Sequence, residues 1–150
     1  MKRVSKLLLV GLILLGFYGG LRLPNLEAAA PAKPAPPRVA VRGQDPIEFI
    51  AGNSVQGRSD IFYDYKKLRY LFANQKNKSV FSKDPDRYGI QGDGTCPFDP
   101  ANQADPNIVM LYNGKIYSFA TYGCLVPFGE NPEKYLAKWP GNPDRKKKKQ

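Results

Sequence analysis

The sequence predicts an α+β fold made of two small β-hairpin–helix units packed together, and three observations carry that reading. First, "YLFANQKNKSVFSKDPDRY" (Tyr70 to Tyr88) and "YSFATYGCLVPFGENPEKY" (Tyr117 to Tyr135) align without a gap at a displacement of 47 positions (117 − 70). The same displacement matches Tyr65 with Tyr112, Phe72 with Phe119, Ala73 with Ala120, Phe81 with Phe128 and Pro85 with Pro132, which marks an internal duplication. Second, each copy opens with two alternating runs joined by a turn, the period-two signature of a hairpin. Third, each hairpin leads into a short helical stretch that stops at Asp84-Pro85 or Asn131-Pro132, because the residue before proline avoids the helical region.

Taken in order, "DIFYDYKKLRYLFA" places Ile61, Tyr63 and Tyr65, then Leu68, Tyr70 and Phe72, on one face, with Lys66-Lys67 at the bend. Asn74 is placed as the cap of the following helix, with Val80 and Phe81 facing inward, and Tyr88 folds back over the hairpin. In the second copy, "VMLYNGKIYSFA" contains Asn113-Gly114, the strongest short-range hairpin signal. Gly123, Pro127 and Gly129 oppose a long regular helix, so a short or broken one is predicted. Tyr135, Leu136 and Trp139 then complete that core. The joining stretch "GIQGDGTCPFDPANQADPN" is rich in Gly, Pro, Asp and Asn and reads as loop. A unit of about 50 residues is too small for a large core of its own. The Phe, Tyr and Trp side chains are therefore assigned to cores that pack together.

The predicted organisation is a signal peptide or N-terminal anchor at 1–30, a Pro-rich linker at 31–42, a first unit at 43–91, a second at 92–140 and a basic disordered tail at 141–150. Lys2, Arg3 and Lys6 precede the apolar run Leu7 to Tyr18, the form of an export signal. That run is short for a membrane span, which takes roughly 20 apolar residues. Ala28-Ala29-Ala30 offers a small-residue cleavage patch, whereas Pro31 directly after it favours an uncleaved anchor. No cysteine stands close behind the run, which excludes a lipoprotein. The chain is thus placed outside the cytoplasm, periplasmic or extracellular, free or held at the membrane by its N-terminal segment. "PAKPAPPR" (Pro31 to Arg38) reads as an extended spacer.

The net charge of +10 gathers at the ends. Between Gly43 and Pro143, 11 Lys and Arg balance 11 Asp and Glu, so the body lacks the basic groove that nucleic-acid phosphates require. The tail "DRKKKKQ" is read as a solvated end, or as a weak adhesive for an anionic membrane surface.

Hairpin, helix, then a closing "DPDRY" or "NPEKY" is a pattern that resembles the YHS domain family and its relatives, the small metal-binding TRASH domains. "GQDPIEFIAGNSVQGRSDIFYDYKKLRYLFANQKNKSVFSKDPDRY" is similar to the exported form of the family, and the resemblance spans roughly residues 43 to 140. In metal-binding members, cysteines open the unit as Cys-Pro-x-Cys and recur as Cys-x-x-x-Cys after the second strand. Laid onto the second copy, the opening falls on "CPFD" (Cys96 to Asp99), and the later pair falls on Ala120 and Cys124. In the first copy that later pair falls on Ala73 and Asn77. The resemblance therefore implies Cys96, Cys124 and Asp99 as candidate metal ligands, in a chain that has no histidine.

Three readings of the two cysteines stand open. A Cys96–Cys124 disulfide suits an exported chain with an even cysteine count. It would close a loop of about 28 residues and add roughly 3–4 kcal/mol. A metal site would use the two thiolates for a soft ion such as copper, with Met110 as a thioether partner and Asp99 as an oxygen donor for a harder ion; zinc is the other candidate, although one copy cannot supply the four N or S ligands of a closed zinc site. Two free thiols are the third reading. The chain shows no histidine base, no Cys-x-x-Cys pair, no Gly-rich phosphate loop, no haem-attachment motif and no serine elbow, so no enzyme is expected. The expected function is an exported, non-catalytic binding module for a metal ion or a protein partner. The alternative is a metal- or thiol-dependent accessory to a redox or metal-handling enzyme.

Overall fold

The computed structural model describes residues 35–145. The leader expected at 1–30, the first residues of the linker and the lysine run of the tail lie outside the described residues. Among the described residues no helix is long and apolar enough to cross a membrane.

The elements follow in order as β1 (Arg38–Val39), α1 (Pro46–Ile50), β2 (Arg58–Tyr65), β3 (Leu68–Phe72), α2 (Gln75–Lys83), α3 (Pro85–Tyr88), β4 (Asp105–Tyr112), β5 (Lys115–Phe119), α4 (Leu125–Glu130) and α5 (Pro132–Lys138). Single 3-10 turns sit at Val41–Gly43, Gly92–Gly94, Tyr122–Cys124 and Pro143–Arg145. One sheet has the order β1-β3-β2, and a second is the hairpin β4-β5. The fold is mixed α+β, as the alternating and helical patterns predict.

Order begins earlier than the proline spacing suggests. Arg38 and Val39 pair in parallel with Leu68 and Arg69, and Ala40 and Val41 behind them are fully buried. The prolines end at Pro37, and "RVAV" is a small, β-branched run that fits a sheet edge. Order also runs past residue 140, since the Lys115 ammonium reaches Asp144 at 2.6 Å.

The duplication is written into the backbone residue by residue. In both hairpins the first strand carries a bulge at the same point, between Arg58 and Phe62 and between Asp105 and Val109. Arg58 lies opposite Phe72, and Asp105 opposite Phe119. Asp84 ends α2 at φ −150°, ψ 69°, and Asn131 ends α4 at φ −148°, ψ 69°. Each then caps the next helix through its own side chain, onto the amides of Arg87 and Lys134. Tyr65 donates to Asp86 at 2.7 Å and Tyr112 to Glu133 at 2.9 Å, again at matched positions. Helix α4 is the short, broken counterpart of α2, entered through a 3-10 turn, because Gly123 and Pro127 deny it a regular first turn.

Both hairpin turns place two residues in the left-handed region: Lys66 and Lys67 at φ 48° and 64°, Asn113 and Gly114 at φ 48° and 67°. This is the turn that matches strand twist, and Asn-Gly suits it. Two lysines do not, at roughly 1–2 kcal/mol each. Lys66 is held there by ion pairs to Asp86 and Asp93, both at 2.8 Å. Burial alone would lower the Lys66 pKa, but those carboxylates outweigh it and raise it.

Each copy has its own aromatic centre. Phe81 meets Tyr63, Tyr70 and Phe72 at ring-centre distances of 5.7, 4.7 and 5.3 Å. Phe128 meets Tyr112, Tyr117 and Phe119 at 6.2, 5.7 and 4.9 Å. Such tilted and edge contacts add about 0.5–1.5 kcal/mol per pair to the area buried. The cores interlock, because Val109 and Ile116 of the second hairpin lie in the first copy's cluster. Strand alternation explains this: Tyr117 and Phe119 face their own core, so Ile116 faces the other way.

Candidate functional site

Cys96 and Cys124 lie in one apolar cluster with Tyr117, Phe119, Phe128 and Trp139. Both are free thiols in this structure, Cys96 at 0% exposure and Cys124 at 8%. Cys96 follows the Gly92–Gly94 turn, and its amide donates to the Asn102 carbonyl at 3.1 Å. Cys124 closes the Tyr122–Cys124 turn that leads into α4, with its sulfur 3.4 Å from the Thr121 hydroxyl.

The other residues that the resemblance and the donor chemistry point to have contacts of their own. Asp99 closes its own loop: its carboxylate accepts from the Ala101 amide at 3.3 Å and from Asn102 Nδ2 at 2.6 Å. Met110 packs at the rim of the second cluster, where its methyl lies 3.4 Å from the place a Cβ would take on Gly129. Ala120 packs against the same cluster. Among the described residues no three His, Cys, Asp or Glu side chains are gathered so as to hold a metal ion. This donor set does not fit a closed zinc site, which takes four nitrogen or sulfur ligands. It fits a soft ion that accepts two thiolates.

The first copy holds the structural counterpart of the thiol pair, and motif spacing did not reveal it. Upstream of the hairpins the two copies match at a displacement of 51 positions (96 − 45), four more than downstream. The backbone shows the match. Gln44 bridges to Gln56, and Thr95 bridges to Gln103. Gly57 donates to the Gly43 carbonyl as Ala104 does to that of Gly94. Asp45 donates to the Val55 carbonyl as Cys96 does to that of Asn102. Pro46 and Pro97 follow, both fully buried. Cys96 therefore corresponds to Asp45, and Cys124 to Asn77.

In the first copy these two residues touch. Asp45 Oδ1 accepts from the Ile47 amide at 2.9 Å and the Glu48 amide at 3.4 Å, capping α1. Asp45 Oδ2 accepts from the Ala73 amide and from Asn77 Nδ2, both at 2.8 Å. Asn77 also donates to Glu48 at 3.0 Å, and Asn53 donates to the other Glu48 oxygen at 2.9 Å. Hydrogen bonds from Asn53 and Asn77 hold the Glu48 pKa below its ordinary value. A carboxylate at 0% exposure is tolerated here because every lone pair has a donor. The signal available in the sequence was the pair of steps Asp45-Pro46 and Cys96-Pro97, obscured by a four-residue difference in the loop behind them.

Fold and site together define a small α+β protein with a duplicated hairpin–helix unit, a buried Asp45–Asn77 junction in the first copy and two buried cysteines at the matched positions of the second. Comparison with family models, with curated proteins and with solved structures gives no match for this chain.

Proposed function

We propose that this chain is an exported, non-catalytic binding module of the YHS type, in which the paired cysteines of the second copy are the chemically active feature. One observation carries the reading. Cys96 and Cys124 take the positions at which Asp45 and Asn77 meet at 2.8 Å in the first copy. The junction is thus a place where this fold brings two side chains together, and the second copy fills it with two thiols. In an oxidising compartment such a pair closes as a disulfide, and the polar pair of the first copy does the same joining without redox chemistry. The partner is a protein or a membrane-bound assembly met outside the cytoplasm, with the N-terminal segment or the basic tail giving contact to the membrane.

A second reading is favoured by the donor set. Two buried thiols with Met110 at the rim of the same cluster suit a soft monovalent ion such as Cu(I), which would make the module an accessory to metal handling. One experiment separates the two. The full chain is isolated from an oxidising compartment, and intact mass, thiol alkylation in denaturant and metal content are measured together. A quantitative Cys96–Cys124 disulfide without metal supports the stapled module. Free thiols with stoichiometric copper support the second reading, and free thiols without metal refute both.

A further inference from the structure

A cavity of about 270 Å³ opens between the copies, with Leu68 and Tyr70 of β3 on one side and Ala104, Pro106 and Ser118 of the second copy on the other. Ser118 is only 1% exposed, yet its hydroxyl has no hydrogen-bond partner among the described residues. No side-chain polar atom among them that is sealed from solvent lacks a partner, so the little exposure that Ser118 keeps includes its oxygen, and the residue lies on the cavity wall. Alternation along β5 puts Ser118 on the same side as Ile116, away from Tyr117 and Phe119, which is the side on which the cavity lies.

The duplication makes this serine unusual. Its counterpart in the first copy is Leu71, the residue that follows Tyr70 as Ser118 follows Tyr117. A leucine would bring apolar bulk to this wall. A serine leaves space and a hydroxyl, which costs stability unless something accepts from it or donates to it.

The other polar groups agree on the charge of an occupant. The Tyr70 hydroxyl accepts from the Ile90 amide at 3.0 Å and keeps its own proton to donate. Arg38 and Lys67 stand exposed on the lining, without an acidic partner among the described residues. Asp93, the carboxylate of the lining, is already engaged by Lys66 at 2.8 Å. Hydroxyl donors inside and unpaired cations at the mouth favour an anion. A volume just under the range of drug-sized pockets, about 300–1,000 Å³, favours a small one.

We propose that the cavity between β3 and β5 is a binding site for a small organic anion, a carboxylate or phosphate ester, whose acceptor oxygens meet Ser118 and Tyr70 while Arg38 and Lys67 hold its charge. This inference is independent of the thiol pair.

Amide NMR of the full chain, titrated with glycerate, glycerol phosphate and uncharged glycerol, tests it. The amides of Gly94, Ala104 and Ser118 shift with one or both charged probes and not with glycerol, and the responding probe gives the head-group chemistry. Arg38→Ala with Lys67→Ala weakens that binding by about tenfold or more. Ser118→Leu, which restores the side chain of the first copy, abolishes it. Should that variant fail to fold, Ser118→Ala weakens binding severalfold with an unchanged amide spectrum elsewhere. Silence at these amides with both charged probes, an equal response to glycerol, or binding that survives the Ser118 and cation substitutions overturns the proposal.

Discussion

Asn77 Nδ2 donates to Asp45 across 2.8 Å, and these two residues stand where the second copy carries Cys124 and Cys96. The same backbone junction is thus closed by a hydrogen-bonded polar pair in one copy and supplied with a thiol pair in the other. The first copy is therefore not an emptied version of the second. Its carboxylate joins the start of α1 to the corner between the end of β3 and the first turn of α2, 28 to 32 residues further along the chain.

That arrangement makes Asp45 a stability determinant. Asp45→Ala leaves the amides of Ile47 and Ala73 without this acceptor in a part-buried place, and leaves Asn77 Nδ2 with Glu48 as its remaining acceptor. The loss is about 3 kcal/mol or more. Denaturant unfolding of the full chain measures it, and a loss below about 0.5 kcal/mol, the level of an ordinary surface substitution, would show the network to be incidental.

The equivalence of the two junctions can be tested by exchange. Cys96→Asp alone buries a carboxylate beside a thiol and is strongly destabilising. Adding Cys124→Asn supplies the donor that Asn77 provides in the first copy, so the pair recovers part of the loss. The coupling in a double-mutant cycle is about 1–3 kcal/mol, and the double variant no longer responds to reductant. Additive effects would mean that Cys96 and Cys124 do not face each other as Asp45 and Asn77 do.

Most of the fold was legible because its signals are local. Asn113-Gly114, the Asn74 cap and the Asp84-Pro85 stop each follow from a few neighbouring residues, and one displacement carried the reading from one copy to the other. The strand at Arg38–Val39 was not legible, since its pairing with Leu68 and Arg69 is parallel and remote. The partners of Asp45 were hidden for a related reason. Asp45 and Asn77 lie far apart in sequence, and the loop between the Pro46 step and the hairpin is four residues longer than its counterpart after Pro97. The thiol pair itself was visible, whereas the contacts of Asp99 with Ala101 and Asn102, which give it a task within its own loop, were not.

Two buried tyrosines, Tyr70 and Tyr117, are expected to weaken the fold in alkali. Burial pushes Tyr70 up to about 12. Burial, with the Asp144 and Glu133 carboxylates adding to it, pushes Tyr117 up to about 12. In the unfolded chain each titrates near 10.0. Between those values the unfolded state has released protons that the folded state retains, so stability is intact below pH 10 and falls as pH rises towards 12. Tyr70→Phe reduces that fall by one of the two groups. At neutral pH it also costs about 1–3 kcal/mol by depriving the Ile90 amide of its acceptor. Unfolding curves collected across the alkaline range separate the two effects, and an unchanged pH slope in the variant would rule out this role for Tyr70.

Gly92 and Trp139 make the sharpest prediction. Gly92 lies at φ +75°, and a Cβ there would stand 1.9 and 2.0 Å from Cζ2 and Cη2 of Trp139, overlapping the edge of the indole. At the matched position the first copy carries Val41, also in the left-handed region at φ 54° and fully buried. One copy thus fills this volume from within the turn, and the other fills it with a tryptophan delivered from the end of α5. Trp139 is at 0% exposure and donates to the Thr95 hydroxyl at 3.0 Å, so it has no free direction in which to yield. Gly92→Ala combines left-handed strain of about 1–2 kcal/mol with overpacking of typically 1–3 kcal/mol. It lowers stability by about 2–5 kcal/mol and shifts the Trp139 fluorescence towards that of a solvated indole. Trp139→Ala alone leaves a large void and costs about 3–5 kcal/mol, but it makes room for the new methyl group. The two substitutions together therefore cost less than their sum, and strict additivity would place Trp139 elsewhere.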